Sequence, residues 1–206
     1  MANTDKTWHI LKMVAEFVEG FETLEDLGPA ITVFGSARVK PEHPQYGQAV
    51  EAGRLIAEAG YATITGGGPG IMEAANRGAM DAGGKSVGLN IKLPHEQGAN
   101  PYQNVSVEFK HFYARKVCFL KHCRGVLCFP GGFGTLDEFF ELITLIQTAK
   151  SPRIPVALMG SEFWGKLAEF MQCAMLASDP PYIGQADFGL FKVFDDVREA
   201  VEFVCD

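Results

Sequence analysis

The sequence predicts an α/β fold built on one doubly wound parallel sheet with helices on both faces, and three observations carry that expectation. Short apolar runs of strand length alternate with longer stretches of helical spacing along most of the chain. Two junctions between such runs are rich in glycine, Gly66-Gly67-Gly68-Pro69-Gly70 and Pro130-Gly131-Gly132-Phe133-Gly134. The 206 residues, 47% of them apolar, suffice for a single core. A chain in which strands keep handing over to helices pairs those strands in parallel and buries both sheet faces.

Taken in order, the elements begin with a helical extension over residues 1–28. There Ile10, Met13, Val14, Phe17, Val18 and Phe21 recur at helical spacing before Gly28-Pro29 ends the run. Such a helix cannot bury its apolar face alone, so it packs either on the domain or on a neighbouring subunit. The domain proper, residues 29–206, opens with a strand at Ile31–Gly35, followed by the turn Gly35-Ser36-Ala37-Arg38 and a helix at Tyr46–Ala59. Further strands are expected at Tyr61–Thr65, Ser86–Ile91, Val105–Phe109, Gly125–Phe129 and Ile154–Leu158, with a short one at Phe191–Phe194. Helices follow at Ile71–Ala82, Phe112–Cys123, Leu136–Thr148, Glu162–Leu176 and Asp196–Val204. The helix at 136–148 carries Phe139, Phe140, Leu142, Ile143, Leu145 and Ile146, more apolar surface than one sheet-facing stripe requires, which points to a subunit contact there.

In a parallel sheet every strand-to-helix turn falls at the carboxyl edge, where open α/β proteins bind ligands. Gly67 and Gly68 in one turn, and Gly131, Gly132 and Gly134 in the other, leave peptide N–H groups free of side chains. The second turn opens a helix, whose positive end favours an anion such as a phosphate. Glu138 sits just inside that helix, placed for a sugar hydroxyl or a proton transfer. Thr135 and Glu138 also have the T-x-x-E spacing of a capping box, in which both side chains only satisfy helix N–H groups. Arg115-Lys116, early in its helix, falls on the same edge, although an Arg-Lys pair on a helix is ordinarily solvated surface. Ser36 has two readings of equal weight, a turn residue or a polar contact to ligand.

Two other motifs do not survive their context. Ala79 to Ser86 fits a relaxed phosphate-loop pattern, but it follows a helix and precedes a strand, the reverse of what a phosphate loop needs. The triple-glycine turn has the wrong spacing for a dinucleotide fingerprint, and the next strand ends at Asn90-Ile91 with no acidic residue for a ribose. Neither Lys116 nor Lys121 has the context of a Schiff-base lysine, which argues against pyridoxal phosphate chemistry.

A net charge of −7 argues against nucleic acid as partner, so any phosphate binding is local. No segment has the length of a membrane span and the N-terminus lacks a signal-peptide pattern, so a cytoplasmic location is expected. The five cysteines contain no C-x-x-C pair and read as reduced, mostly buried thiols; the five histidines form no metal pattern either.

Three segments together, Gly66-Gly67-Gly68-Pro69-Gly70-Ile71-Met72-Glu73, Arg115-Lys116 and Pro130-Gly131-Gly132-Phe133-Gly134-Thr135-Leu136-Asp137-Glu138, resemble the signature of the LONELY GUY family. Its members are cytokinin-activating nucleoside 5′-monophosphate phosphoribohydrolases, and many bacterial ones carry a lysine decarboxylase label. The likeness spans about Ile31 to Val204, and the P-G-G-x-G-T-x-x-E element is far more specific than a bare glycine motif. It implies a Rossmann-like domain that cleaves the N-glycosidic bond of AMP or an N6-modified AMP, with Arg115 and Glu138 as the catalytic pair. It implies a phosphate cradle at Gly131, Gly132, Phe133, Gly134 and Thr135, and further substrate contacts at Glu96, Lys116 and Thr144, beside Gly35, Ser36, Gly67 and Gly68. No metal or cofactor is implied, and the assembly is a homodimer at minimum. The alternative within the same resemblance is a nucleotide sensor or molybdenum-cofactor carrier that binds without hydrolysis. Residues 1–30 are longer than the start of the compact plant-type members, and Leu93–Tyr102 is more similar to the bacterial branch.

Overall fold

A computed structural model describes residues 2–93 and 98–206, with side chains from Thr7 onward. Seven strands form one sheet: β1 (Ala30–Phe34), β2 (Ala62–Thr65), β3 (Ser86–Ile91), β4 (Val105–Phe109), β5 (Cys123–Cys128), β6 (Val156–Met159) and β7 (Lys192–Phe194). They lie in the order β4-β3-β2-β1-β5-β6-β7, and every pair is parallel. The helices between them are α1 (Ala2–Thr23), α2 (Pro44–Glu58), α3 (Ile71–Asp81), α4 (Phe112–Lys121), α5 (Phe133–Gln147), α6 (Ser161–Phe170) and α7 (Val197–Cys205).

Alternation along the central strands divides the core in two, as a sheet buried on both faces demands. Phe34, Val126 and Cys128 face one cluster, shared with Phe119 of α4, Phe139 and Leu142 of α5 and Trp164 of α6. Ile31, Val33, Leu127 and Phe129 face the other, shared with α2, α3 and α7. Leu24 and Leu27, just past α1, belong to the first cluster, with Phe17 and Phe21 against it. Glu16 fastens α1 further: its carboxylate accepts the N–H groups of Lys110 and His111 at 3.2 and 3.1 Å and meets His111 Nδ1 at 3.0 Å.

Every strand expected from the sequence is present, with ends moved by one or two residues. Three departures are larger. The helix expected at 136–148 begins at Phe133, with Gly132 as its N-cap and no side chain capping it. That excludes the capping box, because Thr135 is already the third helical residue. The helix expected at 162–176 is α-helical only to Phe170 and then widens into a π-helical turn at Met171–Leu176. The unassigned stretch before β7 holds a 3-10 segment at Gln185–Leu190.

Packing divides the apolar face of α5. Phe139, Leu142 and Ile146 of α5 are buried within the protomer, and Phe140 and Ile143 pack against the same core. Leu145 stays partly buried, and larger exposed apolar side chains lie on α1, at Trp8, Ile10, Leu11, Val14 and Val18, and on α4, at Tyr113 and Val117. Cys118, Cys123 and Cys128 are buried free thiols, whereas Cys173 is exposed. No described helix is long and apolar enough to cross a membrane.

Candidate active site

Strand order fixes the place of the site. β1 neighbours both β2 and β5, so the chain leaving β1 and the chain leaving β5 cross over to opposite sides and open a crevice at their carboxyl ends. Three turns meet there around Ser36. Its N–H donates to Pro130 O at 3.1 Å, and its carbonyl accepts from Ile71 N–H at 3.1 Å. Gly70 makes this close approach possible: its φ is +70°, and a Cβ would sit 2.8 Å from the Ala37 carbonyl carbon. Above the three turns lies a cavity of about 750 Å³, typical in size for a small-molecule site.

The turn after β5 forms one wall. The first hydrogen bond inside α5 runs from Leu136 N–H to Gly132 O at 3.1 Å, so the N–H groups of Phe133, Gly134 and Thr135 lead out of the helix start toward the cavity their residues line. Gly132 has φ −90° and ψ −157°, backbone that any residue can adopt, and a Cβ there would meet nothing within 4 Å. Gly134 is equally unconstrained by neighbours, although glycine in a helical turn costs about 0.5–1 kcal/mol relative to alanine. Neither glycine is needed by the fold. What their missing side chains preserve is open space against bare amides. Gly131 differs, since a Cβ there would press on the Thr135 side chain, which is buried under the turn.

Arg115 and Glu138 line the same cavity from α4 and α5. Arg115 is pinned from behind: Nε donates to Leu89 O at 2.7 Å, a terminal nitrogen donates to Gly66 O at 3.0 Å, and the guanidinium lies 5.0 Å above the Phe119 ring. Burial lowers its pKa to about 10, against the opposing pull of Glu138, so it stays cationic near neutrality. Burial likewise raises Glu138 to about 7, with Lys116 and Arg115 pulling the other way and Glu141 and Asp137 adding to the rise. A carboxyl group balanced near neutral pH in a cleft is suited to proton transfer.

Lys116 stands behind the cavity wall rather than in its lining. Its ammonium bridges from α4 to two carboxylates of α5, Asp137 at 2.7 Å and Glu141 at 2.8 Å, and it is not among the cavity-lining residues. Burial works to lower its pKa, but the two ion pairs outweigh that and raise it.

The other expected contacts divide. Gly35, Ser36 and Gly68 line the cavity, together with Gly66. Gly35 also has a packing duty, since a Cβ would press on Ile71 at 2.7 and 2.9 Å. Ser36 does serve as a turn residue, its hydroxyl accepting Arg38 N–H at 3.1 Å. Gly67 does not line the cavity; it is buried with φ +74°, and its carbonyl takes N–H donors from Asn100 and Gln103 at 2.8–3.0 Å. Thr144 is exposed further along α5, donating to Phe140 O at 2.7 Å. Glu96 lies outside the described residues.

Residues not singled out from the sequence complete the lining. Arg38 and Asn90 are polar and Asp137 is acidic; Met72, Ile91, Leu93, Phe112, Phe119 and Phe163 supply most of the apolar remainder. Arg38 carried a usable signal, because it stands in the turn after the first strand and therefore on the ligand edge. The apolar set carried none, since its members read as ordinary core positions.

Comparison with known proteins places these features in company. A family model described as possible lysine decarboxylase matches residues 72–204. The cytokinin riboside 5′-monophosphate phosphoribohydrolase of Rhodococcoides fascians is 28% identical over 165 residues, 71% of this chain and 82% of that protein. The enzyme of the same name, LOG, from Oryza sativa subsp. japonica is 29% identical over 131 residues, 62% of this chain and 53% of that protein. Among solved structures, the molybdenum cofactor binding protein of Rippkaea orientalis superposes with a TM-score of 0.63 at 22% identity, covering 85% of this chain and 94% of that one. At that identity the likeness is one of fold.

Proposed function

The chain belongs to the LONELY GUY family, and from that premise we propose that it hydrolyses the N-glycosidic bond of a purine nucleoside 5′-monophosphate, AMP or an N6-modified AMP. The observation that carries the reading is the pairing of Arg115 and a near-neutral Glu138 across one cavity from an unencumbered glycine turn. The phosphate rests on the amides of residues 132–135, and the ribose lies between Arg115 and Glu138. A water oxygen bonds C1′ as the C1′–N9 bond breaks and the bonding pair leaves with the base; the Glu138 carboxylate takes one proton of the water, the departing base takes one from solvent, and Glu138 returns its own to solvent. Free base and ribose 5-phosphate result. Positive charge builds on the ribose in the transition state, and a carboxylate in a poorly hydrated cleft stabilises it far more than water would. The apolar lining suits a purine face and any hydrocarbon attached to it.

A second reading is a carrier that holds its nucleotide or cofactor intact, favoured by the fold shared with the Rippkaea orientalis protein. The same amide turn would serve it, but a carrier has no use for a carboxyl group balanced near neutrality beside a buried arginine. Incubation with AMP and chromatographic separation of adenine decides between them: release favours the hydrolase, and intact AMP the carrier. Assembly enters as part of the proposal. The exposed faces of α1 and α4 belong to a homodimer or larger homo-oligomer.

A further inference from the structure

Among the described residues the cavity lining contains two cations, and their circumstances differ. Arg115 is buried, with two of its nitrogens spent on backbone carbonyls at 2.7 and 3.0 Å. Lys116, the nearest other cation in sequence, does not line the cavity, and its charge is already met by two carboxylates, Asp137 of the cavity wall and Glu141. A phosphate monoester brings close to two negative charges at neutral pH. The amide turn supplies only partial charges against them.

Arg38 is the remaining lining cation. Its residue is exposed, and its main chain is fixed by the Ser36 hydroxyl at 3.1 Å. Ser36 in turn bonds to Pro130, the first residue of the glycine turn, at 3.1 Å. The guanidinium is thus carried on a turn hydrogen-bonded to the start of the glycine turn, and both turns line one cavity. A planar fork of N–H donors beside a helix N-terminus is an arrangement that closes on phosphate oxygens.

Resting on the N-glycosidase reading above, we infer that the two arginines divide the work: Arg38 clamps the phosphate from the rim, and Arg115, anchored deeper, acts on the ribose and base beside Glu138. Arg38 is then the residue by which the site tells a nucleoside monophosphate from a nucleoside.

Calorimetry in a Glu138→Gln background, which keeps AMP intact, tests this with AMP and ribose 5-phosphate as probes. Adding Arg38→Gln should weaken both about tenfold or more, and Arg38→Lys should recover part of the loss. Two results overturn the assignment: affinity for AMP within about twofold of the background, or a loss confined to AMP, which would put Arg38 on the base. A failed hydrolase reading looks different. The unsubstituted chain would bind AMP and release no adenine, while the effect of Arg38 on both probes would persist.

Discussion

Glu138 is where the account is most exposed at the scale of a residue. Its pKa near 7 means that the ionised fraction grows as pH rises from 6 to 8, so base release should climb over that window if the carboxylate is the working form. Glu138→Gln should cut release about a hundredfold or more while AMP affinity stays within about tenfold. The same shift governs stability with the opposite sense. A folded-state pKa raised above the unfolded value favours folding at low pH, and that contribution is lost as pH rises through about 7. Glu138→Gln should therefore melt higher than wild type at pH 8 and lose that advantage by pH 5; a variant that melts lower at both would contradict the burial argument. Lys116 bears on the same group. With Lys116→Met, Asp137 and Glu141 lose their counter-charge beside Glu138, so the acid limb of the pH–rate profile should move to higher pH. An unmoved limb would mean that the bridge only ties helices together.

Among the elements, α5 shows what the sequence could and could not tell. Its apolar periodicity was legible from Leu136 on, but its first turn was not, because Phe133-Gly134-Thr135 combines poor helix formers whose conformation is set by the turn after β5. Glu138 thus lies in the second turn of the helix and Thr135 is no cap. Lys116 illustrates a rotational limit: neighbours on a helix point roughly 100° apart, so Arg115 lines the cavity while Lys116 reaches the carboxylates of Asp137 and Glu141 on α5. Thr144 illustrates an axial one, standing ten residues past Gly134 and so about 15 Å along the axis. The π-helical turn after Phe170 left no readable pattern in the sequence. The glycines invite a paired experiment. Gly132→Ala has room and an ordinary backbone conformation, so its melting temperature should stay within about 2 °C while AMP binding falls. Gly70→Ala forces a Cβ against the Ser36–Ala37 backbone at positive φ and should lower the melting temperature by several degrees. Equal effects at the two sites would undo the distinction between a glycine kept for a ligand and one kept for the fold.

For the whole molecule, the parallel sheet and the cavity at its carboxyl edge followed from βα alternation and two glycine turns, whereas the strand order came only with the structure. On α5, the helix expected to meet a partner, Phe139, Leu142 and Ile146 are buried in the protomer core, while Phe140, Ile143 and Leu145 are only partly buried. Val14 and Val18 of α1 are about half exposed instead, at 51% and 49%. Because Val14 is not needed in the protomer core, Val14→Asp should keep the fold and, by burying a charge twice across a two-fold contact, shift light scattering toward the monomer. A wild-type chain that already scatters as a monomer at micromolar concentration would remove the assembly from the proposal. The central claim is that this cleft breaks a glycosidic bond, and the most direct measurement is incubation of the purified chain with AMP followed by quantification of adenine and ribose 5-phosphate. Equimolar appearance of both, lost with Glu138→Gln, is the predicted result; AMP recovered intact under conditions where it demonstrably binds would contradict it.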